Sequence, residues 1–460
     1  MAGGSFLIAA LRARRHRKGY RRRRKIKRGV DSISSLPDVI LQHILSFIPT
    51  NLAIRTSLLS KRWRHVWCDI PSLFFDDDDA TVRKATSINK TLSLYKATKI
   101  INFHLEFRTS LRQDITPEIN RWIEFAMSRY VENLCLEFIS PYPCNIYKPP
   151  EIIYINNPYY TQEMVKETRL HISDIMTPVS WTSLKKLSLH GFSLSDESMA
   201  KIISGCPLLE SLTLRGCDKL SFLDLSKSLR LRTLEIIINL WYPEQAQIVA
   251  PHIHYLRLIN RQFSSTIVDA SSLTEAELDI SFGLLRPTFE VDFIQDMALK
   301  MLEKVKNVEK LTLRGNFLHY LSLAEVRGVP FPMLKVKYLT LETAIFRYVI
   351  PGIERVLQNS PDLKKLTVSA KNCNTIPENH FDNYLKREGL NPDQCWRSKD
   401  HGVDWNKSLW DVSSKHMVVS LVELVLKNTK SLDKIILLRF KFKDLVPPLF
   451  HNNNVSIVLR

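Results

Sequence analysis

One short pattern constrains this chain more than any other. It has two apolar residues three apart and a third two further on, ideally L-x-x-L-x-L. It recurs as VENLCL (131–136), LKKLSL (184–189), LESLTL (209–214), LRTLEI (231–236) and IHYLRL (253–258). It continues as LTEAEL (273–278), VEKLTL (308–313), VKYLTL (336–341), LKKLTV (363–368) and LDKIIL (432–437). From 184 to 273 the first positions lie 25, 22, 22 and 20 residues apart, and later gaps of 35, 28 and 27 fit one unit plus an insertion. TRLHI (168–172) reads as a worn copy in the long gap before 184. Alternation inside the pattern is the period of a strand with one buried face. A lone unit cannot bury that face, so a chain that repeats it must stack its units around one shared core.

Several copies follow a helix signal. In SDESMAKIISGCPLLESL, Ser195 is the expected N-cap, Gly205 the helix end and Pro207 the stop. PGIERVLQNSPDLKKL repeats the design with Pro351 and Ser360-Pro361, as do FIQDMALKMLEKVKNVEKL and MVVSLVELVLKNTKSLDKI. Helix, short break and alternating strand make one unit of a leucine-rich repeat, with strands on the concave side and helices outside. Residues between the apolar anchors then face the concavity, which in solenoids is a binding surface. Tyr255, Arg257, Lys310, Tyr338 and Lys365 are the candidate substrate-binding set, a partly basic patch suited to an acidic or phosphorylated partner. A solvated strand face is the alternative. Two stretches interrupt the array: a Pro-, Tyr- and Asn-rich one (141–160), and a polar one (371–415) holding Trp396, Trp405 and Trp410.

Ahead of the repeats, residues 31–75 read as three short helices. Pro37 and Asp38 open the first, which carries Ile40, Leu41, Ile44, Leu45 and Ile48 at helical spacing and stops at Pro49. The second runs from about Asn51 to Leu58. The third begins near Ser60 as N-cap, carries Trp63, Val66 and Trp67, and ends at Pro71. So small a core is marginal alone, so the unit is expected to dock on something.

DSISSLPDVILQHILSFIPTNLAIRTSLLSKRWRHVW (31–67), followed by PSLFFDD, resembles a plant F-box. Leu36-Pro37-Asp38, Ile40-Leu41, Ile44-Leu45, Leu58 to Ser60 and Lys61-Arg62-Trp63 with Trp67 carry the resemblance. Val39 stands where an acid is common, and Asn51-Leu52 replaces a more usual Lys-containing turn. The resemblance implies binding to a Skp-type adaptor, and through it to a cullin, by Leu36, Pro37, Ile40, Leu41, Ile44, Leu45, Ile48, Leu59 and Trp63. For each of these, filling the three-helix core is the alternative. GCPLLESLTLRGC (205–217) is similar to repeats of plant F-box/leucine-rich-repeat proteins. Cys395-Trp396 and ELVLKNTKSLDKIIL (423–437) resemble the remains of the FBD module found in many of them, although DHGVDWNKSLWDVSSKH departs from its pattern. The implied fold is α/β, a three-helix F-box followed by a leucine-rich-repeat solenoid. The implied segments are a disordered basic tail (1–29), an F-box (31–75), repeats (100–370), and C-terminal repeats with a degenerate FBD-like region (371–460). The implied function is that of a non-catalytic receptor that holds an unknown target protein for ubiquitination. A nucleic-acid-associated scaffold with a vestigial F-box is the alternative.

Charge bears on this alternative. Of the net +18, +12 sits in residues 1–29, which hold 9 Arg, 3 Lys and no acid, leaving +6 to the rest. Basicity is thus mostly a property of the tail, and nucleic acid is not the expected partner of the folded body. RRRRKIKR, with Arg21, Arg22, Arg23, Arg24, Lys25, Lys27 and Arg28, reads first as a nuclear import signal, giving a nuclear and cytoplasmic expectation. A nonspecific nucleic-acid arm, a transit peptide and a merely solvated tail remain open. FLIAAL (6–11) is too short to span a bilayer and precedes the arginines, the reverse of a secretory signal. With no G-x-G, dinucleotide and kinase phosphate loops are excluded. Seven cysteines without C-x-x-C give no support for zinc ribbons or a disulfide scaffold. His252 and His254 would share a strand face but lack a third ligand, so neither metal nor cofactor is expected.

Overall fold

The computed structural model describes residues 33, 35–77, 82–107, 116–138, 170–171, 181–217, 220–238, 246–260, 265–280, 291–345, 347–370, 378–392, 415–440 and 455–459. The basic tail, the 141–160 stretch, Cys395 and the three tryptophans at 396, 405 and 410 lie outside the described residues.

Pro37, which has no N–H to leave unpaired, precedes helix α1 (Asp38–Leu45). Leu41 and Leu45, four apart, point inward and are buried. Arg62 closes the unit from behind, donating to the Leu36 carbonyl and, at 3.0 Å, to the Asp38 carboxylate. Pro49 precedes α2 (Thr50–Arg55), which tightens into a 3₁₀ turn at Thr56–Leu58. The third helix expected from Ser60 does not form. Residues 61–65 are turns, and only Val66–Asp69 coil into a 3₁₀ helix. Trp, His and Val are weak helix formers, and the segment before Pro71 is short. Burial of Trp63, Val66, Trp67 and Cys68 therefore sets its path.

The chain then enters the repeats through β1 (Ser72–Asp77), α3 (Val82–Leu94), β2 (Asn102–Phe107), α4 (Thr116–Ser128) and β3 (Asn133–Phe138). β4 (Leu170–His171) follows, then β5 (Lys186–His190), β6 (Phe192–Ser193), α5 (Asp196–Ser204), β7 (Ser211–Arg215) and β8 (Phe222–Asp224). Next come β9 (Thr233–Ile238), β10 (Ala246–Val249), β11 (Tyr255–Asn260), β12 (Ser265–Asp269), β13 (Glu275–Ile280), α6 (Val291–Lys304) and β14 (Lys310–Gly315). The array closes with α7 (Phe317–Val326), β15 (Tyr338–Thr343), α8 (Ile350–Gln358), β16 (Lys365–Ala370), α9 (Glu378–Arg387), α10 (Lys415–Asn428), β17 (Lys434–Leu438) and β18 (Ser456–Leu459).

Every copy of the pattern forms a strand of one parallel sheet, ordered β1-β2-β3-β5-β7-β9-β11-β13-β14-β15-β16-β17-β18 among the described residues. Three of these strands fall outside the ten copies. β1 and β2 carry the same spacing with aromatic substitutes, Ile70-x-x-Leu73-x-Phe75 and Ile100-x-x-Phe103-x-Leu105, and β18 ends the row. Each repeat inserts its three anchors, such as Leu212, Leu234 and Leu256 in successive turns, into one core that runs from Leu41 to Leu437. TRLHI does not join this sheet. Its β4 pairs with β6 instead, so β3 and β5 are direct neighbours.

The outer layer is mixed. Ser195 caps α5 as expected, its hydroxyl accepting from Ser198 N–H at 3.1 Å, and α6, α7, α8 and α10 cover the later repeats. Between α5 and α6 the units of 20–22 residues are too short to hold a strand, two turns and a helix. There β8, β10 and β12 form a small parallel sheet in place of the expected helices. α7 is buried on all sides, wedged between α6 and α8. Gly352 lets α8 approach it, with its N–H donating to Ser322 Oγ at 2.8 Å. A Cβ there would lie 2.5 Å from the Leu318 carbonyl oxygen.

The helical N-terminal unit is welded to the first strand. Thr50, fully buried, accepts the Phe74 N–H at 2.8 Å, and Tyr95 donates to the Ile70 carbonyl at 2.5 Å.

Candidate functional site

The N-terminal unit has an inside and an outside. Leu41, Leu45 and Trp63 are core residues, so their part is to hold the unit together. Leu36 and Ile48 are half-buried and pack against that core. Pro37, Ile40, Ile44 and Leu59 face solvent. Further apolar side chains share that exposure, among them Val39, Phe47 (76%) and Leu58 (85%). Sequence reading left these three out of its candidate set, although Val39 had been noted as a departure and Leu58 as part of the resemblance. The signal that could have found Phe47 and Leu58 is position. Phe47 lies just past the end of α1, and Leu58 in the 3₁₀ turn that ends the second helix, so neither sits within the helical stripes that turn inward. So much bare apolar surface on so small a unit makes it the candidate interaction site.

On the repeat sheet, parallel register sorts the concave side chains into three rows. The first runs Ser72, Asn102, Asn133, Lys186, Ser211, Thr233, Tyr255, Glu275, Lys310, Tyr338, Lys365 and Lys434. Lys310, Tyr338 and Lys365 are therefore consecutive neighbours, while Tyr255 is one strand away across Glu275. Lys310 Nζ lies 3.3 Å from that glutamate. Arg257 is in the second row, two residues on, and belongs to a different neighbourhood. It bonds Glu277 at 2.9 Å and stands 3.5 Å from Glu235. Arg314 extends the chain of charges to Glu277 at 2.7 Å and Glu342 at 3.0 Å. Tyr255 leans on the same glutamate at 3.3 Å, and burial, reinforced by Glu277, pushes its phenol up to about 12. The expected patch is thus split into a Lys-Tyr-Lys row and a charge-balanced cluster of Arg and Glu.

Near the N-terminal end, the second and third rows bring His104, Cys135, Glu137 and His190 onto three adjacent strands. The His252/His254 pair, by contrast, precedes β11 rather than lying on it, and the His252 ring is engaged with the Ser226 carbonyl at 3.1 Å.

Two family models match the chain. One, described as the At1g61320/AtMIF1 LRR domain, covers residues 92–443, and an F-box domain model covers 33–75. The chain belongs to the F-box/LRR-repeat family. The putative F-box/LRR-repeat protein At3g18150 of Arabidopsis thaliana is 57% identical over 451 residues, which cover 96% of this chain and 95% of that protein. The F-box/LRR-repeat protein At5g02910 of the same plant is 47% identical, covering 94% and 95%. In this F-box/LRR-repeat chain the F-box match ends within β1, the first strand of the repeat sheet. F-box and solenoid therefore share a strand and a core, and no flexible linker separates the exposed apolar surface from the concave rows.

Proposed function

We propose that this chain is the substrate-receptor subunit of an SCF-type cullin ubiquitin ligase. The F-box would dock on a Skp-type adaptor, and the repeats would hold a target protein beside the ubiquitin-conjugating enzyme. One observation carries the reading: an exposed apolar F-box surface around Ile40, Ile44, Phe47, Leu58 and Leu59 is joined without a linker to a long laddered sheet. Work of this kind is done by proximity, which needs rigidity between two binding faces and no catalytic residue in the receptor.

The target face would be the Lys310-Tyr338-Lys365 row, with Tyr255 one strand away across Glu275 and Arg257 in the neighbouring Arg and Glu cluster. The lysines favour an acidic or phosphorylated partner, because charge-assisted bonds to carboxylate or phosphate are the strong ones there. Replacing Ile44 and Leu59 by Asp should abolish co-purification of the adaptor while leaving the chain folded. Retained binding would sink the receptor reading, and capture of nucleic acid without adaptor would favour a nucleic-acid-associated scaffold. Lys310→Glu with Lys365→Glu should keep the adaptor and lose the target. Residues 1–29 would direct the chain to the nucleus as well as the cytoplasm, which fusions with and without them would decide.

A further inference from the structure

We infer that the concave face carries a divalent transition-metal site, suited to Zn²⁺, built by His104, Cys135 and Glu137 with His190 as the fourth ligand. The parallel register sets His104 beside Cys135, and Glu137 beside His190. Two residues separate Cys135 from Glu137 on β3, so both face the same side of the sheet. The result is a stepped row of metal-binding side chains, one from β2, two from β3 and one from β5. None is adjacent to another in sequence, which is why motif reading does not reveal it.

Distances among three of the four donors fit one small ion. Donor atoms of His104, Cys135 and Glu137 all lie within 4.8 Å of one another. Cys135 Sγ is 3.3 Å from Glu137 Oε1, His104 Nε2 is 3.9 Å from the same oxygen, and His190 Nδ1 is 3.6 Å from Oε2. Ligands bound to zinc at ~2.0–2.3 Å in a tetrahedron stand roughly 3.3–3.8 Å apart, so His104, Cys135 and Glu137 need only small side-chain adjustments, and His190, set against Glu137 from the next strand, must turn toward them. His104 Nε2 and His190 Nδ1 are both buried, and the Glu137 oxygens they face, at 3.9 and 3.6 Å, lie beyond a normal hydrogen bond. Lone pairs in that position are what a cation would satisfy. The Phe74 ring packs on that of His104 with centroids 4.4 Å apart and fixes its orientation.

Donor chemistry points the same way. Two imidazoles, a thiolate and a carboxylate are borderline donors that select zinc or a neighbouring transition ion over calcium or magnesium. On binding, the Cys135 thiol proton leaves to solvent as the sulfur–metal bond forms. The 2+ ion is then balanced by thiolate and Glu137 carboxylate. The reading does not depend on the F-box or on any adaptor.

The test uses the full-length chain and Co²⁺ as spectroscopic probe. One equivalent should bind, with visible bands of tetrahedral cobalt and a near-ultraviolet thiolate-to-cobalt band, and Zn²⁺ should displace it. Cys135→Ser should remove the thiolate band, and His104→Gln or His190→Gln should weaken binding by at least about tenfold. Absence of binding would overturn the site, and so would binding unmoved by these variants, which would assign the ion to other cysteines or histidines. If Cys135→Ser does not fold, alkylation of the wild type decides. Cys135 should be protected from iodoacetamide in the zinc-loaded chain, and equal labelling with and without zinc would refute the proposal.

Discussion

Two leucines of the same small unit, Leu41 and Leu59, eighteen residues apart, offer a sharp test of how the F-box works. Leu41 has no exposed surface, whereas Leu59 is 70% exposed and Ile44 44% exposed. Leu41→Ala should destabilise the fold by about 2–5 kcal/mol, the usual cost of emptying a buried leucine site. Ile44→Ala with Leu59→Ala should leave thermal unfolding almost unchanged, as surface substitutions generally do. Binding should reverse the order. Fully burying such a side chain is worth about 1.5–3 kcal/mol. Scaling by the exposed fractions gives roughly 1–2 kcal/mol for Leu59 and about 1 kcal/mol for Ile44. Together these amount to about 2–3 kcal/mol, or roughly 30- to 150-fold in affinity. Calorimetric titration of the adaptor, paired with a melt of each variant, reads both quantities. The argument fails if the double variant binds within twofold of wild type. It fails equally if the double variant melts as low as Leu41→Ala, since the two faces would then not be separate.

Other consequences are local. Thr50→Val leaves the Phe74 N–H without its acceptor and should cost about 1–3 kcal/mol in a denaturant titration. Gly352→Ala pushes a methyl against the Leu318 carbonyl and Ser322, so α7 and α8 must part. A loss of about 1–3 kcal/mol, measured the same way, is expected. Burial pushes the Asp196 carboxyl up, but hydrogen bonds from the Phe222 N–H and from the Ser221 hydroxyl and N–H hold it below its ordinary 3.8. Its folded value is depressed, so its stabilisation is present above that pH and lost as the pH falls through and below it. Asp196→Asn should therefore flatten the acid limb of a melting-temperature-against-pH curve and lower stability at neutral pH.

Much of the molecule could be read from residue order, because a three-anchor pattern is a local statement about which side of a strand is buried. Leu187, Leu234 and Leu311 announce their strands whatever surrounds them, and Ser195 with Gly205 and Pro207 announces a helix start and stop. The same logic missed β1 and β2, where aromatic residues take the place of leucine, and overread TRLHI, whose leucine pairs with Phe192 on a different sheet. It also expected a third F-box helix where packing of Trp63 and Trp67 overrides weak propensity. Candidate sites were harder. Leu41 and Ile44 look alike in a string, and only the structure separates a core residue from an exposed one. Arg257 and Lys310 look alike as cations, yet register gives one to a pair of glutamates and the other to a Lys-Tyr-Lys row. His104, Cys135, Glu137 and His190 come from three repeats and meet only because parallel strands align equivalent positions side by side. Sequence alone determined that this chain must stack repeats behind a small helical unit, since apolar spacing leaves no other way to hide its leucines. Which side chains meet across the stack was decided by tertiary structure, because insertions between strands set the register and no local pattern encodes their sum.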